Sequence, residues 1–304
     1  MSATLPLAYP TERRLAGIGL ILLAIAFYAG QDAVAKHLSA TLSTVEILFF
    51  RSFGTFVVLV PLALRLPLRS LRPRQPAMLL LRCLCGIGGM TFFIMASREM
   101  PLADVTAINF SGPLLATVLA VVLLGERIDG RRLAALAVGF LGVLIIVRPG
   151  TSAFSVQAFW ALAAAVCYAG ITLSLRLLSR TDHPVAVTML FSIFGTLAAG
   201  ALLPWFWKIP TRSEFVLLVL QGASCGIGQL LMTHALRLAP ASTISAFTYT
   251  ILIYAAVIGY FWFGNVPEPV MLAGAGLLIA SCLYIAQRDV LRSRENRESL
   301  SPTS

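Results

Sequence analysis

Ten apolar runs of about twenty residues, joined by loops too short to hold a domain of their own, fill this chain of 304 residues. They lie at 15–37, 44–64, 76–97, 103–124, 131–148, 154–178, 185–206, 213–237, 242–263 and 269–287. A bilayer's hydrocarbon core is about 30 Å thick and a helix rises about 1.5 Å per residue, so runs of this length cross it. The composition agrees. It is 58% hydrophobic and 12% charged, against about 25% charged in soluble domains. The expected fold is an all-α integral membrane protein of ten transmembrane helices. That excludes a secreted factor, a cytosolic enzyme and a sequence-specific DNA binder. The first run continues past Leu20 to Ala29 with no small-residue cleavage site, so it reads as a membrane helix and not a cleaved signal peptide. Only the tails, 1–14 and 288–304, are polar, and the second is expected to be disordered.

The basic residues set an expected orientation. With the N-terminus inside, sixteen of them, from Arg13 and Arg14 through Arg65, Arg127 and Arg180 to Arg297, fall on the cytoplasmic side. Five (Lys36, Arg98, Arg148, Lys208 and Arg212) fall on the other. This positive-inside bias places both termini in the cytoplasm, and it makes the net charge of +10 a signal of loops facing anionic membrane lipid, with no nucleic acid as partner. Arginine outnumbers lysine 21 to 2, which suggests a GC-rich bacterial genome and a multi-pass protein of the bacterial inner membrane. All five cysteines sit in apolar runs. Cys83 and Cys85 lie about 200° apart on a helix, so neither a metal site nor a disulfide is expected.

The two halves repeat. Phe27-Tyr28-Ala29-Gly30 returns as Cys167-Tyr168-Ala169-Gly170, and Phe50 with Phe53-Gly54-Thr55 as Phe191 with Phe194-Gly195-Thr196. Cys85-Gly86-Ile87-Gly88 returns as Cys225-Gly226-Ile227-Gly228, Arg98 and Pro101 as Arg237 and Pro240, and Leu124-Gly125 as Phe263-Gly264. The offset stays between 139 and 141 throughout. The repeats are expected at 15–148 (spans 1–5) and 149–287 (spans 6–10). Five helices are an odd number, so the second copy enters the membrane from the opposite side. An inverted repeat of this kind suits alternating access.

The stretch from Ala96-Ser97-Arg98 through Ala103, Ala107 and Pro113 to Leu124-Gly125-Glu126, then Gly139 and Gly142, resembles the EamA-type permeases of the drug/metabolite transporter superfamily. So does Arg51-x-Phe53. The resemblance covers essentially the whole chain as two EamA-like repeats. It implies a central cavity lined mainly by spans 1, 3, 4, 6, 8 and 9. It also implies small-metabolite transport, most often export of amino acids and derivatives. Opine-type metallophore exporters belong to the family, as do importers of S-adenosylmethionine and riboflavin. The second copy departs from the pattern, with Gly264-Asn265 where the family carries Gly-Glu, which favours a structural role for Glu126 at a helix end.

Polar groups at membrane depth are costly, about 2.5–3.5 kcal/mol for an arginine on insertion scales. Arg51 lies about two turns into span two, and Asp32 reaches a similar depth in span one. They read either as an outer gate, with Arg51 free to receive a substrate carboxylate, or as a fixed structural pair with a snorkelling arginine. Proton coupling needs a titratable group at depth. Asp32 is the best carboxylate, and His234 in span eight is the other candidate, although a lone histidine there is usually a satisfied interior residue. Glu46 and Glu126 read as solvated or capping. The repeat suggests a cavity lining: Asn109-Phe110-Ser111 aligns with Thr248-Tyr249-Thr250, and Tyr28 with Tyr168. Gln31 and Gln229 add amides suited to a zwitterion. Aromatics in membrane helices also simply pack, and hydroxyls bond back to their own helix. Gly112-Pro113 is expected to kink span four and free carbonyls. Gly86, Gly88, Gly89, Gly222, Gly226 and Gly228 read as sites of close helix approach.

Neither lysine, Lys36 nor Lys208, follows a glycine as a phosphate-binding P-loop requires. The three histidines form no metal motif and no carboxylates pair at depth, so neither catalytic residues nor a cofactor is expected. Nothing resembles a selectivity filter. The expectation is a secondary carrier, monomeric, with a proton as candidate coupling ion, exporting a small polar amino-acid-derived metabolite. Import is the alternative.

Overall fold

The computed structural model describes residues 11–67, 71–124, 130–148, 156–179, 181–238 and 247–298, and among them every regular element is an α-helix. The first repeat supplies α1 (Thr11–Leu38), α2 (Thr44–Ala63), α3 (Pro76–Ser97), α4 (Leu102–Asn109), α5 (Gly112–Leu124) and α6 (Gly130–Val147). The second supplies α7 (Val156–Leu178), α8 (Pro184–Phe206), α9 (Arg212–Leu238), α10 (Ile251–Phe263) and α11 (Pro269–Glu298). Seven stretches are long and apolar enough to cross a membrane, with α4 and α5 together forming one of them; shorter apolar helices cover Leu133–Val147, Ile251–Phe263 and Pro269–Ile285. Gly125, Glu126 and the expected start of the ninth span at 242–246 lie outside the described residues.

Local chemistry sets the helix ends. Ser43 and Glu46 form a capping box: Ser43 Oγ accepts from the Glu46 N–H at 3.2 Å, and Glu46 Oε2 accepts from the Ser43 N–H at 2.9 Å. Pro76 and Pro184 open α3 and α8, where a missing N–H costs nothing. α10 ends at Gly264 with φ +67°. The Gly264 and Asn265 N–H groups donate to Tyr260 and Gly259 carbonyls, both at 3.0 Å, a Schellman closure that requires the left-handed residue.

Two expectations need correction. Glu46 is capping as expected, but it is fully buried and not solvated. The tail expected to be disordered from 288 is helical as far as Glu298. Asp289 stands three residues before Arg292, and Arg294 four before Glu298. That i,i+3 and i,i+4 spacing of opposite charges favours a helix, which a reading of composition alone overlooks.

Helix pairing follows the repeat. α1 packs on α9 as its counterpart α7 packs on α3, while α2 with α8 and α6 with α11 are pairs of counterparts. A pseudo-two-fold axis therefore runs between the halves, the inverted arrangement that an odd repeat demands. The largest apolar cluster draws on both copies, with Ile108, Leu114 and Leu136 from the first and Ala161, Ala255 and Leu278 from the second.

The fourth span breaks at Phe110-Ser111. The Ser111 N–H donates to the Ile108 carbonyl at 2.9 Å, and Leu114 and Leu115 both donate back to Ser111 at 3.0 Å. The ninth span breaks at the matching place. Thr250 donates to Phe247 at 3.0 Å, and Ile253 and Tyr254 donate to Thr250 at 3.0 and 3.1 Å. Pro113 assists the first break, but Leu252 occupies the matching position in the second.

Candidate functional site

Tyr28, Gln31 and Asp32 stand at i, i+3 and i+4 on α1, so they share a face. Arg51 Nε donates to Gln31 Oε1 at 3.1 Å, and Gln31 Nε2 donates to Asp32 Oδ1 at 3.3 Å. Gln31 is buried and stands between the two charges, so the gate expected as a direct Asp32–Arg51 ion pair is relayed through an amide. On the same face the Tyr28 hydroxyl donates to Gln229 Oε1 at 2.8 Å, and Gln229 Nε2 donates to Thr188 Oγ1 at 3.3 Å. This second chain crosses from the first repeat to the second.

The helix breaks carry an aromatic layer. The Phe110 ring lies 5.5 Å from Tyr249 and 6.3 Å from Tyr168, centroid to centroid. Tyr168 fits against the break because Gly112 has no side chain: a Cβ there would fall 2.8 Å from Tyr168 Cβ and Cγ. The aligned tyrosines thus take different roles, Tyr28 hydrogen-bonded across the repeat boundary and Tyr168 packed on the break. Asn109 and Thr248 are half-buried beside the breaks. Ser111 is buried and its hydroxyl has no partner, whereas its counterpart Thr250 donates to the Phe247 carbonyl at 2.7 Å.

His234 is not brought to this cluster. It is exposed on α9, its Nδ1 lies 2.8 Å from the Leu230 carbonyl, and it sits about 140° around the helix from Gln229. The back-bonding expected of hydroxyls is widespread: Thr55, Thr91, Thr172 and Thr196 each donate to the carbonyl four residues before them. All five cysteines are free, and among the described residues no His, Cys, Asp or Glu side chains gather as a metal set.

Two interior polar residues stand outside the set expected from the sequence. Arg82 stands six residues into α3 with its guanidinium 4.3 Å above the Phe191 ring. Its Nε and Nη1 are shut off from solvent and have no hydrogen-bond partner. Gln221 on α9 is fully buried with both amide atoms unpartnered. For Arg82 the signal was available in the sequence, since an arginine inside a run of twenty-two helical residues meets the same cost as Arg51.

A polar, cross-repeat cluster among helices related by an inverted two-fold is the geometry of a carrier's centre. The model of the EamA-like transporter family matches residues 15–148 and 156–287. The chain belongs to that family. It is therefore a multi-pass membrane transporter of metabolites and not an enzyme. Among its relatives is a protein of Pseudomonas aeruginosa named pseudopaline exporter CntI, 31% identical over 89% of this chain and 96% of that one. A Rickettsia felis protein named S-adenosylmethionine uptake transporter is 26% identical over 94% of this chain and 97% of its own length. A crystal structure at 19% identity superposes with a TM-score of 0.62 over 91% of this chain and 98% of the other, which shows the shared fold.

Proposed function

We propose that this EamA-like transporter exports a small, polar, amino-acid-derived metabolite from the bacterial cytoplasm by alternating access, as ten membrane spans with both termini inside. The observation that carries the reading is the pair of hydrogen-bonded chains at the bundle's centre, Arg51–Gln31–Asp32 and Tyr28–Gln229–Thr188. Amides, a hydroxyl, a carboxylate and a guanidinium in one place suit a zwitterionic cargo. Tyr28, Gln31, Asn109, Ser111, Tyr168, Gln229, Thr248 and Tyr249 form its binding layer. Asp32 with Arg51 couples and gates, the proton being the coupling ion. His234, on the outer surface of α9, is left with a structural part.

The positive-inside orientation puts residues 39–43 and 207–211 at the outer end. There the repeats are tied: the Lys208 N–H donates to Glu46 Oε1 at 2.8 Å, Lys208 Nζ to the Thr41 carbonyl at 3.0 Å, and Thr41 Oγ1 to Glu214 Oε1 at 2.5 Å. A tied outer end supports a state that loads from the cytoplasm. The 31% likeness to a protein named as a pseudopaline exporter supports export. Import is the second reading, favoured by likeness to proteins named as S-adenosylmethionine uptake transporters.

Untargeted metabolite profiling of cells lacking the gene tests this reading, with cytoplasm compared against spent medium. Export predicts one compound accumulating inside and lost from the medium, with neither effect corrected by Asp32→Asn. A compound left outside and depleted within establishes import instead.

A further inference from the structure

Arg82 has a charge that nothing in the fold answers. Among the described residues the ionisable groups near it include the thiols of Cys83 and Cys85, the Tyr28 and Tyr168 hydroxyls and a second guanidinium, Arg51, and none of these is a carboxylate. The interior's one carboxylate on α1, Asp32, is already linked to Arg51 through Gln31. The two arginines start from opposite ends of antiparallel helices, Arg51 about 10 Å into α2 and Arg82 about 9 Å into α3. They flank the middle of the bundle from either side. Arg51 Nε is occupied, while two of the three Arg82 guanidinium nitrogens are buried and idle. N–H groups of a cation held from water without an acceptor are a cost that a fold rarely keeps. Groups that break a packing rule without local compensation collect at functional sites.

The surroundings are built to hold this side chain and not to neutralise it. The Phe191 ring lies 4.3 Å from the guanidinium carbon, centroid to atom, a contact that holds the cation without using any N–H. A Cβ on Gly86 would fall 2.6 Å from Arg82 Nη1 and 2.9 Å from Phe191 Cζ, so the glycine keeps room for that stack. Tyr168 packs against Gly112, beside the unpartnered Ser111 hydroxyl at the helix break.

We propose that Arg82, held on Phe191, is the receptor for a carboxylate of the transported solute in this conformation, while Arg51 is engaged by Gln31. The inference rests on the metabolite-transport reading and deepens it, because it requires the cargo to be a carboxylate-bearing compound. Delocalised charge and several N–H donors suit arginine to a carboxylate, whereas lysine there supplies a point charge only.

Two measurements on the full-length chain test this. In the first, wild type, Arg82→Lys and Arg82→Met are placed in phosphatidylcholine nanodiscs without added solute, and their melting midpoints are compared. A receptor with no ligand burdens the empty protein, and methionine packs well on an aromatic ring, so Arg82→Met should melt higher than wild type. A lower midpoint makes Arg82 a structural residue and overturns the proposal. Adding phosphatidylglycerol should shift wild type and Arg82→Met alike; a rise in wild type alone makes a lipid phosphate the anion, which also overturns it.

In the second, cells making each variant at matched membrane abundance are profiled, and the medium is treated with acidic methanol, which tags carboxylates by a mass shift. The compound whose release depends on wild type should take the tag. Its release should fall at least tenfold in Arg82→Met and be partly kept in Arg82→Lys. Undiminished release by Arg82→Met, or an untagged compound, overturns this inference and leaves transport standing. If wild type changes no compound in either compartment, the transport reading falls and takes the inference with it.

Discussion

α2 crosses α9, and its repeat counterpart α8 crosses α3, yet the two crossings are built from opposite materials. At the first, Gly54 meets Gly222 backbone to backbone: a Cβ on Gly54 would lie 2.6 Å from Gly222 Cα and carbonyl carbon. One turn on, Gly226 gives way to Val58, where a Cβ would fall 2.6 Å from the valine Cβ. At the second crossing the residue matching Gly222 is Arg82, and the Phe191 ring stands between the helices. Gly195, the match for Gly54, turns instead to α2, where a Cβ would lie 2.6 Å from Ser52 Oγ. One seam is zipped by small residues, as membrane helices without a hydrophobic driving force require. The other is propped by an arginine and a ring. An inverted repeat with one seam closed and one propped is an asymmetric state of a symmetric machine, and the asymmetry is written at positions 82 and 222.

The most direct way to break this comparison is to place one methyl group at Gly54 and one at its repeat counterpart, Gly195, which faces α2 and not α3. Gly54→Ala drives its Cβ into backbone that cannot rotate away, and overpacking of that kind costs about 1–3 kcal/mol. We expect the upper part of that range, with a large fall in the detergent melting midpoint and in the yield of monodisperse protein. Gly195→Ala meets a serine hydroxyl, which can turn to another rotamer, so its cost should stay below about 1 kcal/mol. Equal losses from the two substitutions would show that the counterpart glycines are equally tightly packed and that the closed seam at Gly54 is not special.

The tied end offers a smaller test. Glu46 closes the capping box of α2 and also accepts the Lys208 N–H from the other repeat. Removing a cap costs about 1 kcal/mol, and the N–H of Lys208, an exposed residue, can turn to water when its partner is lost. Glu46→Ala should therefore lower the melting midpoint by less than Gly54→Ala. It should also raise labelling by a membrane-impermeant maleimide of a cysteine introduced at Thr44, by opening the end that Lys208 ties. Unchanged labelling would mean that this contact holds a helix end and not a gate.

These contrasts bear on what a sequence can disclose. The inverted repeat was legible because its signatures are small residues and aromatics kept in register; a kink was expected only in span four, at Gly112-Pro113, and the matching break in span nine, which has no proline, was not. Asp32 and Arg51 were legible from their depth. The relay through Gln31 was not, because an amide one residue from an aspartate has no sequence signature of the side chain it will meet. Arg82 was masked by a different effect. It lies inside the third span as Arg51 lies inside the second, and the count of cytoplasmic charges leaves it out, but no sequence signature shows that two of its guanidinium nitrogens go without a partner. His234, the second candidate for proton coupling, lies exposed and away from the cluster, a placement not legible in the sequence because apolar periodicity does not say which side of a helix faces lipid and which faces protein.

The helix breaks give the smallest expected effect, and it sharpens the same point about counterparts. Proline within a helix costs about 3 kcal/mol or more and is commonly treated as the cause of a break at its position. Here the second repeat breaks in the same hydrogen-bonding pattern with Leu252 where the first has Pro113. The packing of Phe110, Tyr168 and Tyr249 around both breaks, and the small Gly112 that lets Tyr168 in, are common to the site whether or not a proline is present. Pro113→Leu should therefore keep the break, change stability by less than about 1 kcal/mol and leave metabolite release within a factor of about two. Gly112→Ala, which leaves the proline in place and crowds Tyr168, should cost more on both measures. If the proline substitution proves the more damaging, the break of the first repeat is made by its backbone chemistry and that of the second by its packing, and the two halves reach one shape by different means.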